Sequence, residues 1–273
     1  MIGVRSLWLA CVLLVPSAAV PQQIVQSDDV DADGAVRITV LFDNTATDAR
    51  LTPAWGFGAV IEHGSHTLLF DAGGNPPVLL ANADLLGVDL RSIDAVAVSH
   101  AHGDHTNGLQ GLVQRGIRLP LYVLPEFASA IRDRFGVAFT VREATPGEEL
   151  LPGIFTTGTM EDPRVGIPEQ SLVIPTDSGL VIVTGCAHQG IVAIVRRAIE
   201  LHGGPVRLVV GGFHLGGKSD AEVQAIIAEF RDLGVRSVGA THCTGEKAIA
   251  AFADAYGADF VPAGVGAVLV VGG

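Results

Sequence analysis

Charged side chains are scarce in this sequence, and basic ones are the scarcest. Only 17% of the 273 residues are charged, and 17 Lys and Arg stand against 29 Asp and Glu, for a formal net charge of −12. No basic run occurs, which argues against a nucleic-acid partner because phosphate backbones are bound by clustered Lys and Arg. The 48% of apolar residues is enough to form a buried core and argues against disorder.

Cysteine is also rare, with three residues in the chain: Cys11, Cys186 and Cys243. The later two each lie within two residues of a histidine. Three roles therefore stay open for them: metal ligands, partners in a disulfide formed in an oxidising compartment, or buried thiols of the core.

Long apolar runs are missing after the N-terminus, so no segment there reaches the ~18 residues of a membrane-spanning helix. The N-terminus has the pattern of a secretory signal: Arg5, an apolar stretch at Leu7 to Val15, and small residues at Ser17 to Ala19. We expect cleavage after Ala19, export to the periplasm or beyond, and no stable membrane span afterwards. An uncleaved anchor is the alternative.

The rest of the chain is predicted to be a polar, flexible segment at 20–34 followed by one domain at 35–273. Short Val- and Ile-rich runs bounded by Gly, Pro or Asp predict strands. They fall at 36–42, 57–62, 67–71, 93–98, 119–124, 171–174, 180–184, 206–210, 235–240 and 266–271.

Helical patterns lie between these strands. The clearest spans 220–233, with a capping box of Ser219 and Glu222 before it and Gly234 after it. A second helix is predicted at 191–202. Strands mixed with helices indicate a layered α/β domain.

The sharpest motif is Ser-His-Ala-His-Gly-Asp-His at 99–105, which directly follows the apolar run IDAVAV. Alternate side chains of an extended segment share a face, so His100, His102 and Asp104 are predicted to converge, while His105 turns toward a second ion. Gly103 is expected to allow a tight backbone path between them. Imidazole and carboxylate ligands suit Zn²⁺, and also Mn²⁺ or iron.

The sequence HAHGDH resembles the HxHxDH motif of the metallo-β-lactamase superfamily. Other segments are similar to the branch of dihydropterin phosphate synthase-like proteins: LFDN (41–44), WGFGAVIEHG (55–64), LFDAGG (69–74), TGCAHQGI (184–191), GGFHL (211–215) and THCTG (241–245). The resemblance spans roughly residues 36–270. An exported enzyme would not meet a cytoplasmic pterin intermediate, so we do not carry that substrate over.

This resemblance implies a four-layer αβ/βα sandwich with one or two metal ions at the sheet edges. It places His100 and His102 at the first ion, and Asp104 and His105 at the second.

The remaining ligands are expected later in the chain, at strand ends where the family's ligands sit. His188 follows GLVIVT and His242 follows VRSVGAT. The family's usual bridging Asp in a Gly-Asp step is replaced by Gly185-Cys186. Either the Cys186 thiolate is a ligand, as soft sulfur suits Zn²⁺, or His188 takes that place.

Four further residues are candidates near the site. Asp43 and Asn44 end the first strand and are expected to line the cleft. Asp71 either supports a ligand histidine through a hydrogen bond or shapes a turn. His214 is a candidate for substrate contact. The remaining histidines, His63, His66 and His202, are interpreted as surface residues.

A competing motif occurs at Gly212–Ser219, which satisfies G-x-x-x-x-G-K-[ST] between a strand and a capped helix. Alone it would indicate a nucleotide-binding protein. No later strand ends in an Asp suited to hold Mg²⁺, which weakens this alternative.

We therefore expect a metal-dependent hydrolase of small molecules. In it, a metal-bound hydroxide attacks an ester, lactone, amide or phosphodiester, and Asp104 orients the nucleophile as well as binding metal. An iron-containing redox or metal-binding protein of the same fold is the second hypothesis.

Overall fold

The computed structural model describes residues 34–272, so the expected signal peptide and nearly all of segment 20–34 lie outside the described residues. The strands are β1 (Val36–Phe42), β2 (Gly58–His63), β3 (His66–Phe70), β4 (Ala95–Ala97), β5 (Pro120–Val123), β6 (Thr140–Glu143), β7 (Glu149–Leu151), β8 (Ile154–Thr156), β9 (Leu172–Thr176), β10 (Gly179–Thr184), β11 (Val206–Gly212), β12 (Ser237–Thr241) and β13 (Val268–Val271).

The α-helices are α1 (Pro76–Leu85), α2 (Gly103–Thr106), α3 (Leu109–Gln114), α4 (Pro125–Phe135), α5 (Ile191–His202), α6 (Asp220–Asp232) and α7 (Glu246–Tyr256). Short 3-10 turns lie at His242–Thr244 and Gly257–Asp259. Within 34–272, none of the helices has the length and apolar character to cross a bilayer.

The strands form two mixed sheets. The first has the order β13-β1-β2-β3-β4-β5-β6, with antiparallel pairing from β13 to β3 and parallel pairing from β3 to β6. The second has the order β12-β11-β10-β9-β8-β7, and its β10, β11 and β12 run parallel. Carboxyl ends of parallel strands meet at one edge of a sheet, so the loops after β10, β11 and β12 are neighbours.

Three apolar clusters hold four layers together. The cluster between the sheets includes Val36, Ile38 and Val40 of β1, whose alternation points every second side chain inward. A second cluster packs α1, α3 and α4 on the outer face of the first sheet. A third packs α5, α6 and α7 on the second sheet. The predicted four-layer sandwich is confirmed.

All ten predicted strands are present, with ends shifted by a few residues. The sequence did not reveal β6, β7 and β8, which are three or four residues long and, in β6, mostly exposed. Helix α5 has the predicted bounds, and α6 ends one residue early at Asp232. The predicted capping box of Ser219 and Glu222 is formed.

The capping box also bears on the nucleotide-binding alternative. Glu222 accepts the backbone N–H and hydroxyl of Ser219 and pairs with Lys218 Nζ at 3.0 Å. The lysine and the helix N-terminus that a phosphate would need are thus engaged by a carboxylate, and Asp220 adds a second acidic group in the first turn. This geometry does not favour nucleotide binding.

Candidate metal centre

The predicted ligands meet at one edge of the sandwich, and both sheets contribute. They form two groups, and the candidate ligand atoms within each group lie within 4.8 Å of one another. The first group is His100, His102 and His188. The second group is Asp104, His105, Cys186 and His242. The structure thus assembles all six predicted ligands and Cys186, while their binding of metal stays a prediction.

The grouping corrects the expectation that His100, His102 and Asp104 converge on one extended face. The backbone is extended through His102 but enters α2 at Gly103. The helical turn carries Asp104 away from the first two histidines and places it beside His105, with Asp104 Oδ2 3.6 Å from His105 Nε2. Gly103 does not adopt a positive φ, but a Cβ there would lie 2.9 Å from Asn107 Nδ2, so the turn is crowded at this position.

In the first group, buried partners fix two ring orientations. His100 Nδ1 lies 2.8 Å from the Ser99 hydroxyl, and His188 Nδ1 lies 2.8 Å from Glu169 Oε2. Such contacts set which ring nitrogen is left to bind a metal. The free His100 Nε2 lies 3.1 Å from His102 Nδ1. Two ring nitrogens at this distance must share a proton or a cation, and the exposed His102 leaves the pair open to solvent.

In the second group, His105 Nδ1 lies 2.6 Å from Asp71 Oδ2, so Asp71 contacts a candidate ligand, while its φ of 56° also fits the alternative of a turn-shaping residue. His242 Nδ1 lies 3.2 Å from Asn44 Oδ1. The opposite nitrogen, His242 Nε2, is buried, finds no hydrogen-bond partner among the described residues, and lies 3.5 Å from Asp104 Oδ2. A buried polar atom without a partner is costly. A cation held with Asp104 would satisfy it, so these residues fit a metal ion.

Asp43 and Asn44 anchor the loop that carries His242. Asp43 is fully buried and accepts a hydrogen bond from the Thr241 hydroxyl at 2.7 Å, so it does not line the cleft as predicted. Asn44 Nδ2 donates to the His242 carbonyl at 3.0 Å. Both residues therefore position a candidate ligand.

The sequence did not reveal Glu169, which is fully buried behind the first group. Its Oε1 accepts the backbone N–H groups of Cys186 and Ala187, and its Oε2 accepts that of His188 at 2.9 Å. Burial raises the pKa of Glu169, but the hydrogen bonds from His188 and the nearby His100 ring outweigh burial and hold this pKa below its usual range. The one available signal was an acidic residue in the segment PEQSL, directly before a buried strand.

The protonation states of the two buried histidines suit metal binding. Burial lowers the pKa of both His100 and His105 to about 3. Both rings are therefore neutral near pH 7, as imidazole ligands must be. Burial acts in the opposite direction on a carboxyl group and raises the pKa of Asp71 to about 7.

Both described cysteines are free, so the disulfide alternative is not formed here. Cys186 Sγ lies 3.3 Å from His105 Nε2. Cys243 Sγ lies 3.5 Å from the Cys186 carbonyl oxygen. The neighbouring Cys243 thiol and burial raise the pKa of Cys186, and the neighbouring Cys186 thiol lowers the pKa of Cys243. The exposed His214 packs its ring 4.5 Å from that of His188, between centroids, so its predicted contact with substrate stays a prediction.

Backbone strain is concentrated at this centre. Four non-glycine residues in 34–272 have positive φ: Asp71 (56°), Ala187 (63°), His214 (51°) and His242 (50°). All four are site residues or directly adjoin one. Such conformations cost on the order of 1 to 3 kcal/mol each and persist where the surrounding structure fixes them.

Trp55 stands at the mouth of the centre and is not among the predicted site residues. Its side chain is 62% exposed, and its ring centroid lies 5.0 Å from that of His242. It offers a flat apolar surface beside the second group.

The layered sandwich and its two histidine-rich groups of candidate ligands are the features of a metallo-β-lactamase-fold protein. A model of the metallo-β-lactamase superfamily matches residues 57–200, and the chain belongs to this superfamily. Members of this fold family bind divalent metals, and the two groups supply candidate ligands here.

Two relatives are similar to this chain over most of its length. It is 31% identical over 236 residues to a 7,8-dihydropterin-6-methyl-4-(beta-D-ribofuranosyl)-aminobenzene-5'-phosphate synthase of Methanocaldococcus jannaschii, covering 71% of this chain and 80% of that protein. It is also 29% identical to a crystal structure described as a metal-dependent hydrolase of the β-lactamase superfamily, with a TM-score of 0.75, covering 87% of this chain and 100% of the other.

The fold is shared more widely. A metallo-β-lactamase fold protein from Bacillus subtilis is similar in structure, with a TM-score of 0.63 at 16% identity. The match covers 87% of this chain and 100% of the Bacillus subtilis chain. That likeness supports the architecture alone.

Proposed function

We propose that this chain is a zinc-dependent hydrolase of small molecules with one ion in each ligand group. The observation that carries the proposal is the pairing of two adjacent groups whose buried histidines are each oriented by a hydrogen-bonding partner. The relative of known structure that is described as a metal-dependent hydrolase supports it.

In this proposal His100, His102 and His188 hold the first ion, and Asp104, His105 and His242 hold the second. Zinc supplies Lewis acidity and an activated water when it is bound. The half-buried Asp104 carboxylate accepts a hydrogen bond from the attacking water and orients it. The net charge of −12 disfavours highly anionic substrates, so an ester, lactone or amide is preferred over a phosphodiester.

The test is a screen with chromogenic substrates: an aryl ester, a lactone, an aryl amide and a bis-aryl phosphodiester. We expect turnover of at least one, loss of it on chelation, and its return with zinc. His102→Ala should lower kcat/KM by about 100-fold or more because it removes a ligand. His66→Ala, a histidine outside both groups, is the control. Full turnover by His102→Ala would refute the proposal.

An iron-containing redox protein is the second candidate function. The thiol of Cys186 beside His105 favours it, because thiolate is also an iron ligand. Iron as the dominant bound metal, with a visible absorption band in the purified protein, would select this candidate.

We also propose export of the chain, on the N-terminal sequence alone. A mature N-terminus at Val20 in protein recovered outside the cytoplasm is the expected result. An intact Met1 there would show that the segment is retained as an anchor.

A further inference from the structure

A third group of candidate ligands adjoins the two already described. It comprises Cys186, His214 and Cys243, whose ligand atoms lie within 4.8 Å of one another. Each follows a different strand, since Cys186 comes after β10, His214 after β11 and Cys243 after β12. These three strands run parallel in adjacent positions, so their carboxyl ends bring the three side chains together.

The distances between the three ligand atoms suit an ion with tetrahedral coordination. With Zn–S near 2.3 Å and Zn–N near 2.0 Å, tetrahedral ligands lie about 3.5 to 3.8 Å apart. The three ligand atoms lie within 4.8 Å of one another, so they are near these separations before any ion binds. Two thiolates and one imidazole are a soft donor set, which selects thiophilic ions over Mg²⁺ or Ca²⁺.

The backbone around this third group is shaped for close approach of the thiol. A Cβ added at Gly212 would lie 2.8 Å from Cys243 Sγ and 2.4 Å from the Gly185 carbonyl oxygen, so the position has room only for glycine. His214 holds φ at 51°, and His242, directly before Cys243, holds φ at 50°. Both loops therefore hold backbone conformations that the surrounding structure must fix.

We propose that Cys186, His214 and Cys243 form a third metal site, specific for a thiophilic ion such as Zn²⁺ or Cu⁺. Both thiols release their protons to solvent on binding. The exposed His214 opens the site to solvent, and Cys186 is shared with the second group. An ion here therefore competes with the second group for the Cys186 sulfur, or is bridged to it through that sulfur. This site does not depend on hydrolase activity.

Cobalt(II) binding to the reduced full chain tests the proposal. Thiolate ligation gives an intense near-ultraviolet charge-transfer band. We expect Cys243→Ser to remove half or more of its intensity and His214→Ala to weaken cobalt affinity at least tenfold, while His66→Ala changes neither. A band unaltered by Cys243→Ser would mean that Cys186 alone binds cobalt within the second group, and would overturn the proposal.

Alkylation mapping covers the case in which Cys243→Ser does not fold. Cadmium should protect both Cys186 and Cys243 of the wild-type chain from alkylation, and His214→Ala should need more cadmium for the same protection. A Cys186–Cys243 disulfide in the purified protein, or alkylation indifferent to cadmium, would refute the site. His102→Ala, which removes a ligand of the first group, should keep the cobalt band. The cobalt result therefore tests the third site even if the chain proves not to be a hydrolase.

Discussion

Glu169 orients the first ligand group without being one of its candidate ligands. Its two oxygens accept three backbone N–H groups from residues 186–188 and the Nδ1–H of His188. The carboxylate therefore holds both the loop after β10 and the ring of His188 in place. A neutral amide at this position cannot accept all four donors, because half of it is itself a donor.

We predict that Glu169→Gln weakens zinc binding by about 10- to 100-fold and destabilises the fold by about 1 to 3 kcal/mol. Competition with a chromogenic chelator measures the affinity, and urea unfolding measures the stability. Glu62→Gln, at a half-exposed surface ion pair, is the matched control and should change neither. Wild-type zinc affinity in Glu169→Gln would show that His188 is oriented by other contacts.

Trp55 is the one tryptophan within residues 34–272, since the only other in the chain is Trp8. Its indole lies 5.0 Å from the His242 ring, between centroids, so an ion bound by His242 changes its surroundings. We predict a saturable change in tryptophan emission when zinc is added to the metal-free protein. The change should disappear in His242→Ala but persist in His66→Ala. An emission change that survives His242→Ala would mean that zinc does not reach the second group.

The segment 103–114, which holds α2 and α3, is docked closely on the loop that carries Asp71. Ala72 N–H donates to the His105 carbonyl at 2.8 Å, and Gly108 N–H donates to the Gly73 carbonyl at 2.9 Å. A Cβ at Gly108 would lie 1.7 Å from the Ala72 carbonyl oxygen. This approach keeps His105 in reach of Asp71, and only glycine at 108 permits it.

Gly108→Ala should therefore cost about 3 kcal/mol or more, because backbone must move to relieve the overlap. Gly116→Ala is the matched control. Gly116 has φ of 70° but nothing within 4 Å of an added Cβ. Gly116→Ala should lower the free energy of unfolding by only about 1 to 2 kcal/mol, which is the cost of the left-handed conformation for alanine. Thermal or urea unfolding compares the two, and equal losses would contradict the proposed docking.

The strands and candidate ligands could be predicted from the sequence where a short stretch of residues carried the pattern. Apolar runs marked every long buried strand, and the spacing of His100, His102, Asp104 and His105 marked the motif. The helical turn at Gly103 was missed because four residues carry no periodic pattern. Glu169 was missed because its role depends on contacts with the loop after β10, which no spacing in the sequence encodes.

Both sheets supply ligands to one centre, which lies where their loops meet. The first sheet contributes His100 to His105, and the second contributes Cys186, His188 and His242. Protein contacts already join them, since Gln170 Nε2 donates to the Val98 carbonyl at 2.7 Å. Ions held across this junction bind the folded state and not the unfolded state. Adding metal should therefore raise Tm, and chelation should lower it.

The most direct test of the central claim is the metal content of protein purified without added metal, measured by elemental mass spectrometry. The account predicts about two equivalents of zinc per chain from the two main ligand groups, and the proposed third site adds at most one more. His102→Ala should lose the equivalent of the first group, and His66→Ala should lose none. A chain that carries no metal, or a His102→Ala variant with wild-type zinc content, would contradict it.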